Sequence, residues 1–352
     1  MRGDKYWFER ARRCLWNQSI LIAVAAQTGM VGAMTGRQIL TYMLIIVGIS
    51  AAAYLLYETF SEYSLREVIG SVREIPAQNL ALAMLFAFGS YICLTGFDWA
   101  GVRHVHSDLP YPKIGLASFI ALSIGQSVGF SGLSSGALRY RYYARWGLST
   151  EDVAKIVLLS GVTVGVGMAM LSGIVLTLNP ADASAVLGLS EAAVRSIGIA
   201  SIVAVAAYLL LASFLRTPLH IRSWTFQMPT LRIAALQVIV GTVNFALVSA
   251  CLREVMAVGG DVSYLKAATA FTLANIAILA THAPGGLGVL EATVTHVMGD
   301  QASIGSLVAF RAIYFFIPFF IGLPLSLITE AVFRANKRNR SPVIAEIERA
   351  SA

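Results

Sequence analysis

The sequence has few charged residues, few cysteines and none of several short motifs of soluble catalysis. Charged residues make up 13% of its 352 residues, against about 25% in an ordinary soluble domain. Three cysteines, Cys14, Cys93 and Cys251, form no CxxC pair, which favours packing thiols over disulfides or metal ligands. A P-loop, a dinucleotide fingerprint and HExxH are all missing. We therefore expect no metal, no cofactor, no ATP-driven motor and no enzymatic activity in this chain.

Long apolar runs take the place of these features. Apolar residues make up 57% of the chain, and several runs approach the ~20 residues that cross a bilayer as a helix. These runs lack the period-two alternation of a barrel strand. The six clearest runs are Ile39–Tyr57, Leu80–Phe97, Val153–Leu178, Ile197–Leu215, Ile233–Leu252 and Ser306–Phe333. The sequence therefore predicts an all-α, polytopic membrane protein with about six full transmembrane helices.

The net charge of +7 indicates topology and not nucleic-acid binding, because the cations lie in short loops between apolar runs. With both termini in the cytoplasm, 20 of the 26 Lys and Arg residues fall inside and five outside, while Arg311 falls within the membrane. The acidic residues show no such bias. Residues 58–74 suit an outer loop with an amphipathic helix.

This topology divides the chain into three parts. Residues 1–37 form a basic cytoplasmic or interfacial segment, although a crossing helix over residues 17–36 is an alternative. Residues 38–335 form the membrane domain, and residues 336–352 form a polar cytoplasmic tail.

Two further apolar segments must return to their own side for this topology to hold. Ile114–Ser135 is interrupted by several glycines and serines, and Ala267–Met298 is interrupted by Ala283–Gly288. Shifting the first segment by 152 positions aligns Gly136 with Gly288 and Arg139 with Glu291. Opposed segments of this kind indicate an inverted repeat of two re-entrant or broken elements. Two ordinary kinked helices are the alternative.

The second interrupted segment contains the candidate lipid-binding residues Pro284, Gly285, Gly286, Gly288 and Glu291. Proline ends a helix, and a helix that restarts after the glycines presents free N–H groups that suit a lipid phosphate. A simple turn that needs glycine only for packing is an equal alternative.

Intramembrane charges supply the other candidates. Arg311 is costly within a membrane unless it is paired, and Glu291 is its expected partner, with snorkelling to the interface as the alternative. Asp98 and Arg139 would form a corresponding pair on the inner side, near Arg141. For Arg139, Arg141 and Arg145, topology setting and contact with anionic headgroups is the alternative interpretation.

Other polar and small residues favour structural roles. Asn244 and Asn275 are expected to form interhelical hydrogen bonds, and His282 a structural one. Gly161, Gly165 and the nearby Gly167 indicate close helix packing.

Three stretches together resemble one known family: Arg139–Leu148, Pro284–Glu291 and Arg311–Pro318 are similar to the transmembrane domain of lysylphosphatidylglycerol synthases, the multiple peptide resistance factor proteins. The resemblance covers about residues 38–335. It implies a module that moves aminoacylated phosphatidylglycerol between leaflets of the bacterial plasma membrane. The C-terminal synthase domain of those proteins has no counterpart in this sequence.

The resemblance makes a phospholipid flippase for anionic or aminoacylated phosphatidylglycerol the leading hypothesis. Membrane phospholipids are then the expected partners, with nucleic acid excluded and oligomerisation left open. The alternative is a non-transporting membrane subunit that scaffolds or regulates a separate lipid-modifying enzyme, such as a phosphatidylglycerol lysyltransferase.

Overall fold

The computed structural model describes residues 65–128, 131–214, 219–221, 224–226, 228–281, 286 and 288–350. The predicted first span, Ile39–Tyr57, and the basic segment 1–37 therefore lie outside the described residues. Within the described part, helices dominate and the strands are limited to one short antiparallel hairpin.

The elements follow one another with short connections. In chain order they are α1 Leu65–Glu74, α2 Ala77–His104, α3 Tyr111–Val128, α4 Ser131–Arg145, α5 Thr150–Leu178, α6 Pro180–Leu187, α7 Glu191–Phe214, β1 Leu219–Ile221, β2 Trp224–Phe226, α8 Leu231–Val255, α9 Tyr264–Thr281, α10 Val289–Met298, α11 Ile304–Arg311, a π-helical turn Ala312–Phe316 and α12 Ile317–Ala350. The chain continues as helix through the predicted polar tail as far as Ala350.

Six helical stretches in the described part are long and apolar enough to cross a membrane. Five of them match the predicted runs from Leu80 onward, with only Leu215 of the run Ile197–Leu215 outside the described residues, so those spans are confirmed. The sixth is α9, which we had assigned to an interrupted segment. Its 18 residues stay apolar and helical up to Thr281, so this half alone has the length of a span.

The distribution of apolar side chains is that of a membrane protein. Helix α7 is the most apolar of these stretches, and only 17% of its most apolar window is buried inside the protein. Leu210 and Phe214 are 60% and 80% exposed. Such a surface is stable only where lipid covers it, so the chain is an all-α multi-pass membrane protein apart from the three-residue strands β1 and β2.

Helices α5 and α8 approach each other at a pair of glycines. A Cβ atom on Gly167 would lie 2.4 Å from the backbone carbon of Gly241, so neither position accommodates a side chain. The predicted close packing is therefore confirmed for Gly167. It is wrong for Gly161 and Gly165, where a Cβ would meet nothing within 4 Å, because both lie on the opposite, exposed face of α5.

Both predicted interrupted segments consist of two helices. In the first, α3 and α4 pack as a hairpin, and the Ser134 hydroxyl donates a hydrogen bond to the Gly125 carbonyl (3.2 Å). In the second, α9 is followed by α10 after a glycine turn. The breaks are therefore where the glycines indicated. The return of each segment to its own side and the inverted repeat stay predictions.

Candidate functional site

Asp98 is the centre of a buried polar cluster between the helices α2, α4 and α5. Asp98 belongs to α2, and its side chain is fully buried. Arg139 Nε donates to both carboxylate oxygens, at 3.0 and 2.8 Å. The hydroxyls of Tyr143 and Ser160 donate to the same carboxylate at 2.9 and 3.1 Å. These donors neutralise and solvate a charge that would otherwise be too costly to bury, and the predicted Asp98–Arg139 pair is confirmed.

Local geometry explains why these groups meet. Arg139 and Tyr143 are four residues apart on α4, so they lie on one face of the helix and reach the same partner. Ser160 comes from α5, which begins at a capping box formed by Ser149 and Asp152. The cluster therefore joins α2, α4 and α5, including the second half of the first interrupted segment.

Arg139 uses only one edge of its guanidinium in this cluster. The residue is 3% exposed, yet its Nη1 and Nη2 atoms have no hydrogen-bond partner in the described part of the chain. The buried Oε1 atom of Gln126, on α3 of the same hairpin, also has no partner there. Gln126 follows Gly125, whose carbonyl accepts the hydrogen bond from Ser134. Ser134 lies five residues before Arg139 on α4, which is about 7.5 Å along the helix. Buried polar atoms of native proteins are normally satisfied, so Gln126 Oε1 is an acceptor that a ligand could satisfy, and the free edge of Arg139 supplies donors on the same hairpin.

The second buried pair joins α10 to α11. Arg311 Nε donates to Glu291 Oε1, and Arg311 Nη2 donates to Glu291 Oε2 at 2.9 Å. Arg311 is 4% exposed, whereas the Glu291 side chain is 18% exposed. The predicted Glu291–Arg311 pair is therefore confirmed, and burial among helices replaces the snorkelling that was the alternative.

Arg311 also fixes the glycine turn before α10. Its Nη2 donates to the Gly286 carbonyl at 3.0 Å. Gly286 and Gly288 have φ angles of +64° and +72°, which other residues adopt at a cost. A Cβ on Gly286 would also lie 2.6 Å from Ile278. Pro284 and Gly285, which we predicted to help bind a phosphate, lie outside the described residues, as do His282 and Leu287.

The structure places Arg141 away from both pairs. Its Nη2 lies 2.8 Å from Glu330 Oε2 on α12, and its side chain is 43% exposed. Arg145 binds the same carboxylate. Sequence reasoning missed Glu330, because an acid near the end of a span looks like a solvated residue. Arg141 and Arg145 are four residues apart and therefore lie on one face of α4, and this spacing was the signal that could have suggested a shared acidic partner.

A neutral network lies between α2, α8 and the π-helical turn. Ser90 donates to Asn244 Oδ1 at 2.7 Å and is 2.9 Å from the Tyr314 hydroxyl. The predicted interhelical role of Asn244 is therefore confirmed. The same prediction for Asn275 is wrong, because its amide donates to the carbonyl of Phe271 in its own helix (2.9 Å).

One further pattern has no catalytic context in this structure. Gly125–Gly129 reads GxSxG, which marks a nucleophile elbow only where a strand turns sharply into a helix. Here its first four residues lie in helix α3. The pattern therefore does not describe a hydrolase site in this fold.

The order of helices repeats along the chain. The series α2, α3 and α4 is followed about 152 positions later by α8, α9 and α10, and α3 and α9 are both 18 residues long. Arg139 and Glu291 occupy equivalent places in the two series. The shift of 152 positions thus sets Arg139 against Glu291 but does not relate their partners Asp98 and Arg311, and the repeat itself stays a prediction.

Comparison with known proteins agrees with this architecture. The family model described as "Lysylphosphatidylglycerol synthase TM region" matches residues 44–325. An uncharacterized protein of Synechocystis, slr0712, is 29% identical over 260 residues, which cover 73% of this chain and 81% of that protein. The inner membrane protein YbhN of Escherichia coli K12 is 26% identical over 303 residues, which cover 84% and 92% of the two chains.

The family match spans both interrupted segments and all but the last few residues of the final span. Asp98, Arg139, Glu291 and Arg311 all lie inside it. The chain therefore belongs to the lysylphosphatidylglycerol synthase transmembrane-region family.

Proposed function

We propose that this protein moves a phospholipid between the leaflets of a bacterial plasma membrane without a covalent step. The substrate class is anionic or aminoacylated phosphatidylglycerol. The observation that carries the proposal is Arg139, a buried guanidinium with one edge on Asp98 and two N–H-bearing nitrogens without partners in the described residues.

The chemistry of a guanidinium favours a phosphate as its second partner. Its planar fork offers parallel N–H donors that match two phosphate oxygens, and such charge-assisted bonds are about twice as strong as neutral ones. Asp98 holds the fork in place and reduces the cost of burying it. The unpartnered Oε1 of Gln126 would accept from a hydroxyl or ammonium of the headgroup. Phosphatidylglycerol carries hydroxyls, and its aminoacylated forms carry an ammonium.

The two buried pairs have different roles in this proposal. Both carboxylate oxygens of Glu291 already accept from Arg311, which also holds the Gly286 carbonyl. This pair stabilises the turn between α9 and α10. A cationic aminoacyl group would reach Glu291 only through its exposed fraction of 18%. The phosphate contact therefore belongs to Arg139, and the Glu291–Arg311 pair has a structural role at the turn.

The proposed location follows from the charges and from a relative. The Lys and Arg bias predicts cytoplasmic termini. The relative YbhN is described as an inner membrane protein. We propose the same location and the same cytoplasmic placement of both termini for this chain.

A leaflet assay on purified protein tests the proposal. Vesicles would contain phosphatidylglycerol with a trace of fluorescent phosphatidylglycerol, and dithionite would quench the label in the outer leaflet. We expect the wild-type protein to expose the inner label, and Arg139→Gln to slow exposure by about tenfold or more, since two charge-assisted hydrogen bonds are lost. Arg103→Gln is the matched control, because the Arg103 side chain is 41% exposed and contacts nearby groups of its own region, namely Ser107, Asp108 and the ring of Trp99.

The outcomes separate the proposed functions. Equal rates for Arg139→Gln and wild type, at equal folding, would remove Arg139 from the site. No translocation by the wild type, together with co-purification of a lipid-modifying enzyme, would support the scaffold or regulatory subunit instead. Replacing the fluorescent phosphatidylglycerol by fluorescent lysylphosphatidylglycerol would show whether the cationic headgroup is preferred.

A further inference from the structure

Glu330 is the meeting point of three arginines at one end of the bundle. Arg145 binds it with two bonds, Nη1 to Oε2 at 2.7 Å and Nη2 to Oε1 at 3.1 Å. Arg141 Nη2 and Arg334 Nε lie 2.8 and 3.3 Å from the same carboxylate. We call Glu330, Arg141, Arg145 and Arg334 the Glu330 cluster. It fastens α4, the second half of the first hairpin, to α12.

The Glu330 cluster carries more positive than negative charge. In the described part of the chain, Glu330 is the only acidic partner of its three arginines. One carboxylate thus faces three guanidinium groups, and the arginine side chains are 43%, 34% and 77% exposed. The hydrogen bonds to Glu330 raise the pKa of Arg145, and all three guanidinium groups are charged at physiological pH. The cluster therefore keeps a net positive charge that attracts a further anion.

Aromatic residues place this cluster at the depth of lipid headgroups. The Arg145 guanidinium lies 4.9 Å from the ring centre of Phe333, and the Lys113 ammonium lies 5.9 Å from that of Trp146. The last candidate span ends at Arg334. Aromatic residues and cations together at the end of a span are typical of the membrane interface.

We propose that the Glu330 cluster closes a lateral opening between α4 and α12, and that the phosphate of an anionic phospholipid opens it by taking arginine donors from Glu330. The phosphate oxygens compete with the carboxylate for the same forks. Opening at this place exposes the hairpin that carries Arg139. The inference deepens the proposed function and rests on it for the path of the lipid, but the opening itself is a separate, measurable event.

The distance between α4 and α12 tests this proposal. Spin labels at Ala144→Cys and Val332→Cys, both exposed positions, would be placed in a chain whose native cysteines are replaced by serine. Distances would be measured in nanodiscs of phosphatidylcholine, with and without phosphatidylglycerol. We expect phosphatidylglycerol to raise the population of longer distances at least about twofold, because it binds the open state better.

Two variants and a control sharpen the measurement. Glu330→Gln should favour longer distances in both lipids and keep the response to phosphatidylglycerol. Arg141→Gln with Arg145→Gln should also open but lose most of that response, because only Arg334 remains of the three phosphate donors. Glu151→Gln removes only an exposed pair with Lys155 at 2.7 Å and should behave as wild type.

The wild-type protein alone can refute the proposal. Identical distances between α4 and α12 in nanodiscs with and without phosphatidylglycerol would do so. A lipid-dependent opening in a protein that fails the leaflet assay would support the Glu330 cluster while the proposed transport falls. Normal translocation by a protein whose α4–α12 distance never changes would support the proposed transport and refute the role of the Glu330 cluster.

Discussion

At the scale of single residues, the fold is organised by charges that apolar helices cannot solvate. Asp98 receives donors from Arg139, Tyr143 and Ser160, whereas Glu291 receives donors from Arg311 alone among the contacts described above. The richer solvation of Asp98 is what leaves part of Arg139 free to bind something else. A carboxylate and a guanidinium thus act together as one neutral, directional donor inside the membrane domain.

Removing the charge of Asp98 should therefore destabilise the protein. Asp98→Asn keeps the shape but leaves Arg139 buried without a counter-charge, and breaking such a pair costs about 3–5 kcal/mol. We expect the melting temperature in detergent to fall by about 5 °C or more. Asp108→Asn is the control, because Asp108 is fully exposed beside Arg103 and should leave melting unchanged. Equal melting of both variants would show that the pair is not needed for stability.

Sequence reasoning reached the charged residues of the two buried pairs but missed Glu330 and the hydroxyl groups that donate to Asp98. Asp98–Arg139 and Glu291–Arg311 were predictable because an isolated charge in an apolar run must find a partner. Tyr143 and Ser160 were not, because hydroxyls are common in membrane helices and often bond to their own backbone. For the same reason Asn275, which bonds within its own helix, was assigned wrongly.

At the scale of helices, close backbone contact sets the positions of α5 and α8. Their approach at Gly167 and Gly241 leaves no room for a side chain, and small residues at such contacts are typical of membrane helices. Sequence spacing predicted close packing correctly at Gly167 but wrongly at Gly161 and Gly165, which face outward. Which face of a helix is buried depends on the helices that pack against it, and the sequence of one helix does not identify these neighbours.

This contact gives a test with its control on the same helix. A Cβ on Gly167 would overlap the Gly241 backbone, so Gly167→Ala should cost about 1–3 kcal/mol through displaced helices. Gly165→Ala, two residues away and facing open space, should be neutral or slightly stabilising because alanine favours a helix. Melting temperatures of the two purified variants check this. A stable Gly167→Ala protein would mean that α5 and α8 are farther apart.

At the scale of the whole molecule, the succession α2 to α4 resembles the succession α8 to α10, and the predicted inverted repeat would relate the two. If the two units are inverted across the membrane, the α3–α4 hairpin and the α9–α10 pair open toward opposite sides. Helical lengths alone do not decide this, because α9 is long enough to cross. The direction of each segment can be read from the side of the membrane on which its flanking loops are accessible.

Cysteine labelling in intact cells checks this topology. Single cysteines would replace Asp108, Glu151 and Asp261, whose side chains are highly exposed at 106%, 61% and 95%. A membrane-impermeant maleimide should label position 261 from outside and leave positions 108 and 151 unlabelled. Labelling of 151 but not 108 would mean that the α3–α4 hairpin crosses the membrane. Labelling of 108 but not 261 would reverse the whole orientation.

The account depends most on one claim, that Arg139 binds the phosphate of a lipid. The direct measurement is an experimental structure of the protein in phosphatidylglycerol nanodiscs, with the co-purified lipid identified by mass spectrometry. We predict phosphate density within hydrogen-bond distance of Nη1 and Nη2 of Arg139, with Nε still on Asp98 and with a headgroup donor near Gln126. Lipid density confined to the outer surface, with the two Nη atoms bonded to protein groups, would contradict the account.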